Sequence, residues 1–242
     1  MALPKIDSPK YELTLPLSKK RIKYRPFNVK EQRNLLMAME AEDEETIQQN
    51  ILDILESCTI TENVNIETLP VIDIEYYFIN LRAKSVGEIV DARYKCNNKM
   101  DDGSVCGNTM ETKINLNEIK IEQEEQINPE IQLTQDFVVK LRYPDYSIVK
   151  NSFKYDNVNE LTFNIIAQSV EYIYDGEQFY YAHETSQNEL VEFLESLSSD
   201  QFDMIESFFS SLPKIEQTLD MTCKKCGFEH HLKVEGLENF FG

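Results

Sequence analysis

Glycine and proline are scarce in this chain, with seven and eight among 242 residues, and that scarcity excludes a low-complexity linker protein. Histidine is scarcer still: His183, His230 and His231 are the full set. No stretch approaches the roughly 18 consecutive apolar residues of a membrane span. The opening residues also lack the apolar block of a secretory leader. Absent too are a glycine-rich phosphate loop, a nucleophile elbow and a His-Glu-x-x-His pair, so no motif points to phosphoryl transfer, acyl transfer or metal-dependent hydrolysis. These absences predict a protein that is not an enzyme, takes no small-molecule substrate and associates with no membrane. It is expected to fold in a reducing cytosol, where clustered thiols favour metal over disulfides.

What is present is a chain able to bury a core, with 41% hydrophobic and 10% aromatic residues, in one large or two modest domains. The formal charge of −19 is unevenly spread. Residues 1–33 carry nine basic side chains against Asp7, Glu12 and Glu31, a net +6, which leaves −25 on the remainder. An acidic body repels phosphate backbones, so free nucleic acid is not an expected partner. The basic segment reads as a strand pair neutralised within its own fold.

Four of the five cysteines fall in two remote clusters. Cys96 and Cys106 enclose nine residues, Cys223 and Cys226 enclose two lysines, and Gly107 and Gly227 follow the second cysteine of each pair. Cys-x-x-Cys-Gly is the form of a zinc knuckle, because glycine accepts the left-handed backbone that turns amide hydrogens toward the thiolates. The second pair is a strong signal. The first is weaker, since its spacing exceeds the usual two to four residues or so, and it works only if residues 101–103 loop outward. Cys96, Cys106, Cys223 and Cys226 are thus the candidate ligands of one structural zinc. Lys95, Lys99, Lys224 and Lys225 would offset the negative charge of a four-thiolate site. Two alternatives stay open: a redox dithiol at residues 223–226, and His230 or His231 replacing a first-pair cysteine. Cys58, on an apolar helix face, reads as a buried free thiol.

Periodicity places strands at 11–15 and 21–27, a helix from an Asn28 cap through residue 42, a second helix opened by the acidic run 42–45, and a third at 73–84. Strands at 90–95 and 109–116 form a hairpin around the first cysteine pair. Residues 117–136 read as an exposed, weakly structured connection, followed by a strand at 137–143 and a helix at 158–171. A hairpin turns about Asp175 and Gly176. A capping box at Ser186 and Glu189 opens a helix, another starts at Asp200, and strands at 217–221 and 231–234 flank the second pair. The class is α+β. Residues 1–88 form an N-terminal strand pair with three helices, 89–116 and 216–236 a split zinc ribbon of two hairpins, 117–215 a mixed insertion, and 237–242 an apolar tail. That tail, with Phe240 and Phe241, should dock, either on its own fold or in a partner.

Several stretches resemble the baseplate hub proteins of T-even-type contractile-tailed bacteriophages: LTLP at 13–16, KYRPFNVKE at 23–31, LLMA at 35–38, DIEYYFINLRAKSVGE at 73–88, YKC at 94–96 and LENFF at 237–241. The resemblance covers the first hundred residues well, and residues 117–215 carry no matching motif. It implies a non-enzymatic protein of the tail baseplate hub, needed for its assembly. Its implied partners are other hub or tail proteins, and its place the host cytoplasm during assembly, with retention in the virion as a further expectation. The runner-up is a nucleic-acid-binding zinc-ribbon accessory factor, which the acidic body disfavours.

Overall fold

A computed structural model describes residues 7–40, 43–122, 127–152 and 157–235. The helices are α1 (Val29–Glu40), α2 (Glu44–Cys58), α3 (Val71–Ser85), α4 (Tyr146–Ser152), α5 (Val158–Ser169), α6 (Gln187–Glu195) and α7 (Ser199–Ser210). The strands are β1 (Tyr11–Thr14), β2 (Arg21–Tyr24), β3 (Ile89–Lys95), β4 (Thr109–Asn115), β5 (Lys120–Glu122) and β6 (Glu130–Gln132). They continue with β7 (Val138–Leu141), β8 (Val170–Tyr174), β9 (Phe179–Tyr181), β10 (Lys214–Thr222) and β11 (Glu229–Glu235). The class is mixed α+β. The chain divides into two compact units, one of Met1–Val64, Ile72–Glu122 and Lys214–Gly242, the other of Asn65–Val71 and Gln123–Pro213.

In the first unit, β1 and β2 form an antiparallel ladder that pairs Tyr11 with Tyr24 and Thr14 with Arg21. Helix α1 starts where expected: the Asn28 side chain accepts from the Lys30 and Glu31 N–H groups, and Glu31 accepts from the Asn28 N–H at 2.7 Å. That reciprocal cap satisfies donors that a helix start otherwise leaves open. Asp43 caps α2 by accepting from the Thr46 N–H. Helix α3 is buried on more than one side, through Ile72, Ile74, Tyr77, Phe78, Ile79, Leu81 and Ala83. It is the floor of both cysteine hairpins. Ile79 and Ala83 join Val90 and Ile114 of β3 and β4, and Ile215, Leu219 and Val234 of β10 and β11, in one apolar cluster. Each valine, leucine or isoleucine of this set contributes about 1.5–3 kcal/mol of burial, and together they hold the two hairpins in a shared layer.

The second unit is a four-stranded antiparallel sheet in the order β6-β7-β8-β9. Val139, Leu141 and Ile173 on one face pack with Ile166, Leu190, Leu194, Ile205 and Phe208 of α5, α6 and α7. Helices α6 and α7 both begin with capping boxes, Ser186 with Glu189 and Ser198 with Gln201. No helix among the described residues is long and apolar enough to cross a membrane.

Two expectations are corrected. The stretch 117–136, expected as a weakly structured connection, contains β5 and β6 among its described residues. β5 pairs with β10 from the far end of the sequence, so its order comes from a partner that local periodicity cannot reveal. The helix at 158–171 ends at Ser169, because Val170 turns extended and enters β8 with no intervening loop. Helix α4 was not anticipated. The expected tail at 237–242 and the residues 41–42 lie outside the described residues.

Candidate metal centre

Each cysteine hairpin ends in a turn built around its thiols. On the first, the Cys96 N–H donates to the Asn108 carbonyl at 2.8 Å and the Gly107 N–H to the Cys96 carbonyl at 3.0 Å. Inside this, the Cys106 N–H donates to the Asn98 carbonyl at 2.9 Å, and Lys99 pairs with Val105. The residues between the cysteines therefore form a small secondary hairpin with an exposed tip at Asp101, Asp102 and Gly103. That loop absorbs the extra length and returns Cys106 beside Cys96. On the second hairpin, the Cys223 N–H donates to the Phe228 carbonyl and the Gly227 N–H to the Cys223 carbonyl, both at 2.8 Å. Gly107 and Gly227 have φ of 64° and 73°. A Cβ there would meet no crowding: at Gly107 it would lie 3.8 Å from the Val105 oxygen, and at Gly227 it would face open space. The requirement is for left-handed backbone, about 1–2 kcal/mol.

The structure brings all four candidate residues together. The Sγ atoms of Cys96, Cys106, Cys223 and Cys226 lie within 4.8 Å of one another. Cys96 is 3.6 Å from Cys226, and Cys106 is 3.9 Å from Cys223. A tetrahedron with metal–sulfur bonds of about 2.3 Å has sulfur–sulfur edges of about 3.8 Å, whereas a disulfide needs about 2.05 Å. The spacing fits four thiols arranged about one centre. Cys96, Cys106 and Cys223 are buried and Cys226 half-buried. Cys58 is also buried, but it lies elsewhere, beside Arg25 and Ser57.

Around the sulfurs stands a ring of donors. The Asn98 amide donates to Cys226 Sγ at 3.7 Å and the Asn108 amide to Cys223 Sγ at 3.5 Å, so each asparagine reaches from the first hairpin to the second. His230, 5% exposed, places Nε2 3.2 Å from Cys96 Sγ. His231, on the opposite face of β11, instead sets Nδ1 2.6 Å from Asp220. The Lys225 ammonium donates to the Cys106 carbonyl at 3.1 Å. Sequence reasoning weighed His230 only as a ligand and Lys225 only as a counter-charge, and it missed Asn98 and Asn108 altogether. A signal existed for both asparagines: one stands two places after each cysteine of the first pair.

The thiols are not equivalent. The Cys226 backbone N–H, seconded by that of Lys225, outweighs burial and holds Cys223 down to about 6. The Phe228 N–H likewise lowers Cys226. Burial pushes Cys96 up to about 12, with the neighbouring sulfurs adding to the rise. The backbone of the Cys-Lys-Lys-Cys turn thus favours the thiolate form of both its cysteines, while burial opposes it at Cys96, where metal binding would have to displace the proton. Soft thiolates in tetrahedral array suit zinc, and the four side chains present fit that ion. Four thiolates about one ion would close its shell and leave no open position for a substrate.

A family model described as T4 bacteriophage base plate protein matches residues 8–242. No curated protein and no solved structure matches the chain.

Proposed function

Because the chain belongs to the T4 bacteriophage base plate protein family, we propose that it is a non-enzymatic structural or assembly protein of the baseplate hub. It acts through contacts with other hub or tail proteins, on a scaffold stapled by one zinc ion held by Cys96, Cys106, Cys223 and Cys226. It meets those partners in the host cytoplasm during assembly.

The observation that supports the staple is the meeting of four sulfurs from hairpins more than a hundred residues apart, with Cys106 and Cys223 separated by 117 positions. A cross-link closing a loop of that size removes roughly 4–5 kcal/mol of chain entropy from the unfolded state. The benefit is mechanical: β3–β4 and β10–β11 are held in register over α3, so the unit presents a fixed surface. A charge of −19 favours protein partners over nucleic acid.

The experiment is affinity purification of the tagged chain from infected cells, with the wild type beside Cys226→Ser. The expected result is co-purification of baseplate proteins with the wild type and their loss with the variant. Recovery without any tail protein would overturn the hub reading. Undiminished recovery by a metal-free variant would overturn the staple.

A further inference from the structure

We propose that the β8–β9 hairpin is a docking edge that accepts an extended, lysine- or arginine-bearing strand of another protein. Antiparallel register puts Tyr172 opposite Tyr181 and Tyr174 opposite Phe179. These four rings therefore share the sheet face opposite buried Val139 and Ile173. They form one cluster: Tyr174 and Phe179 have ring centroids 4.6 Å apart, Tyr172 and Phe179 5.1 Å, and Phe179 and Tyr181 6.0 Å. Phe179 remains 50% exposed and Tyr181 41%. An aromatic cluster this open is costly on a surface that meets only water, and Tyr-rich patches are typical interface anchors.

The strand beneath them is also incomplete. Among the described residues β9 pairs with β8 alone. The Asp175 N–H donates to the Gln178 carbonyl, which makes these two a hydrogen-bonded pair at the turn. Alternation then assigns Tyr180 inward bonds to β8 and leaves the Phe179 and Tyr181 backbone groups facing outward. Thr185 takes the Tyr181 carbonyl. Sheet edges are usually guarded by charge or proline, and Phe179, Tyr180 and Tyr181 supply neither. Such an edge is the template for strand addition.

Charge names the occupant. Glu130 accepts from the Tyr172 hydroxyl at 3.0 Å and Asp175 from the Tyr180 hydroxyl at 2.8 Å, Glu171 adjoins Tyr172 in β8, and Glu177 and Glu184 flank β9 in the chain. Lys140, the basic side chain on this face, is engaged by Glu171 at 3.3 Å and lies over the Tyr172 ring. A cationic strand would meet these carboxylates and stack on the rings. The inference stands independently of the metal centre and of the hub assignment.

The test titrates the full chain with two synthetic peptides of equal length, alternating Val-Lys and alternating Val-Glu. The lysine peptide should bind at least tenfold more tightly. Amide exchange should slow at Phe179 and Tyr181 and stay unchanged at Tyr180. Phe179→Thr with Tyr181→Thr should weaken binding at least tenfold at unchanged melting temperature. If that variant melts early, Glu177→Lys with Glu184→Lys serves instead, and failure to weaken binding overturns the proposal. Equal binding of both peptides, no binding of the lysine peptide, binding without protection at Phe179 and Tyr181, or self-association through β9 would each overturn it as well.

Discussion

The Sγ of Cys96 lies 3.6 Å from that of Cys226, across 130 positions of sequence. A metal held between them would close that whole stretch of chain into one loop. The purified chain should carry one zinc, by elemental analysis. Cys226→Ser should lose it and destabilise the protein by about 4 kcal/mol or more in urea unfolding. Cys58→Ser, remote from the cluster, should retain full metal content. An unchanged metal content in Cys226→Ser would refute the clamp.

The ring of donors makes a finer prediction. His230 touches Cys96, and Asn108 touches Cys223. Partners of this kind orient the ligands and tune their basicity, and their loss typically weakens metal binding 10–100-fold or so. His230→Phe and Asn108→Leu should each shift a competition titration against a chromophoric chelator by that factor. His231→Phe, whose parent imidazole faces Asp220, should not.

Sequence patterns revealed what is local and missed what is remote. The helix starts at Asn28 and Ser186 were legible because a cap and its reciprocal acid stand three residues apart. The second cysteine pair was legible because Cys-x-x-Cys-Gly encodes its own turn, and the first, more weakly, because Gly107 follows Cys106 in the same way. Strand β5 was not, since three residues acquire order only by pairing with β10. His230 could be singled out only as an alternative ligand, because a ring two positions from the end of a turn looks the same in sequence whether it binds metal or a thiolate. Nothing local in the sequence distinguished the buried carboxylate of Asp73. Its true partners, the backbone of the β1–β2 turn, lie over fifty residues upstream.

That carboxylate supports a third prediction. Asp73 is 0% exposed and accepts the Leu17 and Ser18 N–H groups, each at 2.8 Å. Asp73→Ala strands two donors and should cost about 2–4 kcal/mol. Asp73→Asn keeps one carbonyl acceptor and should cost about half as much. Urea unfolding of both variants checks the order, and equal costs would show that the hydrogen bonds are not the source.

The last prediction concerns acid. Burial by itself would raise the Glu31 carboxyl, but Arg25 at 2.7 Å, the Asn28 N–H and the Ser57 hydroxyl overcome it. Together they hold Glu31 down to about 2, against an ordinary 4.5. Because the folded value is the lower one, its contribution is complete above pH 4.5 and fades as pH falls toward about 2. Discounted for the solvent that reaches the pair, it is worth about 1 kcal/mol. Glu31→Gln should therefore lower stability by a constant amount between about pH 5 and 7, and that deficit should shrink below about pH 4.5. Acid also protonates cysteine ligands, so the difference between wild type and variant must be compared at each pH. A deficit that stayed constant into acid would assign the loss to packing rather than to the charge held between Arg25 and Glu31.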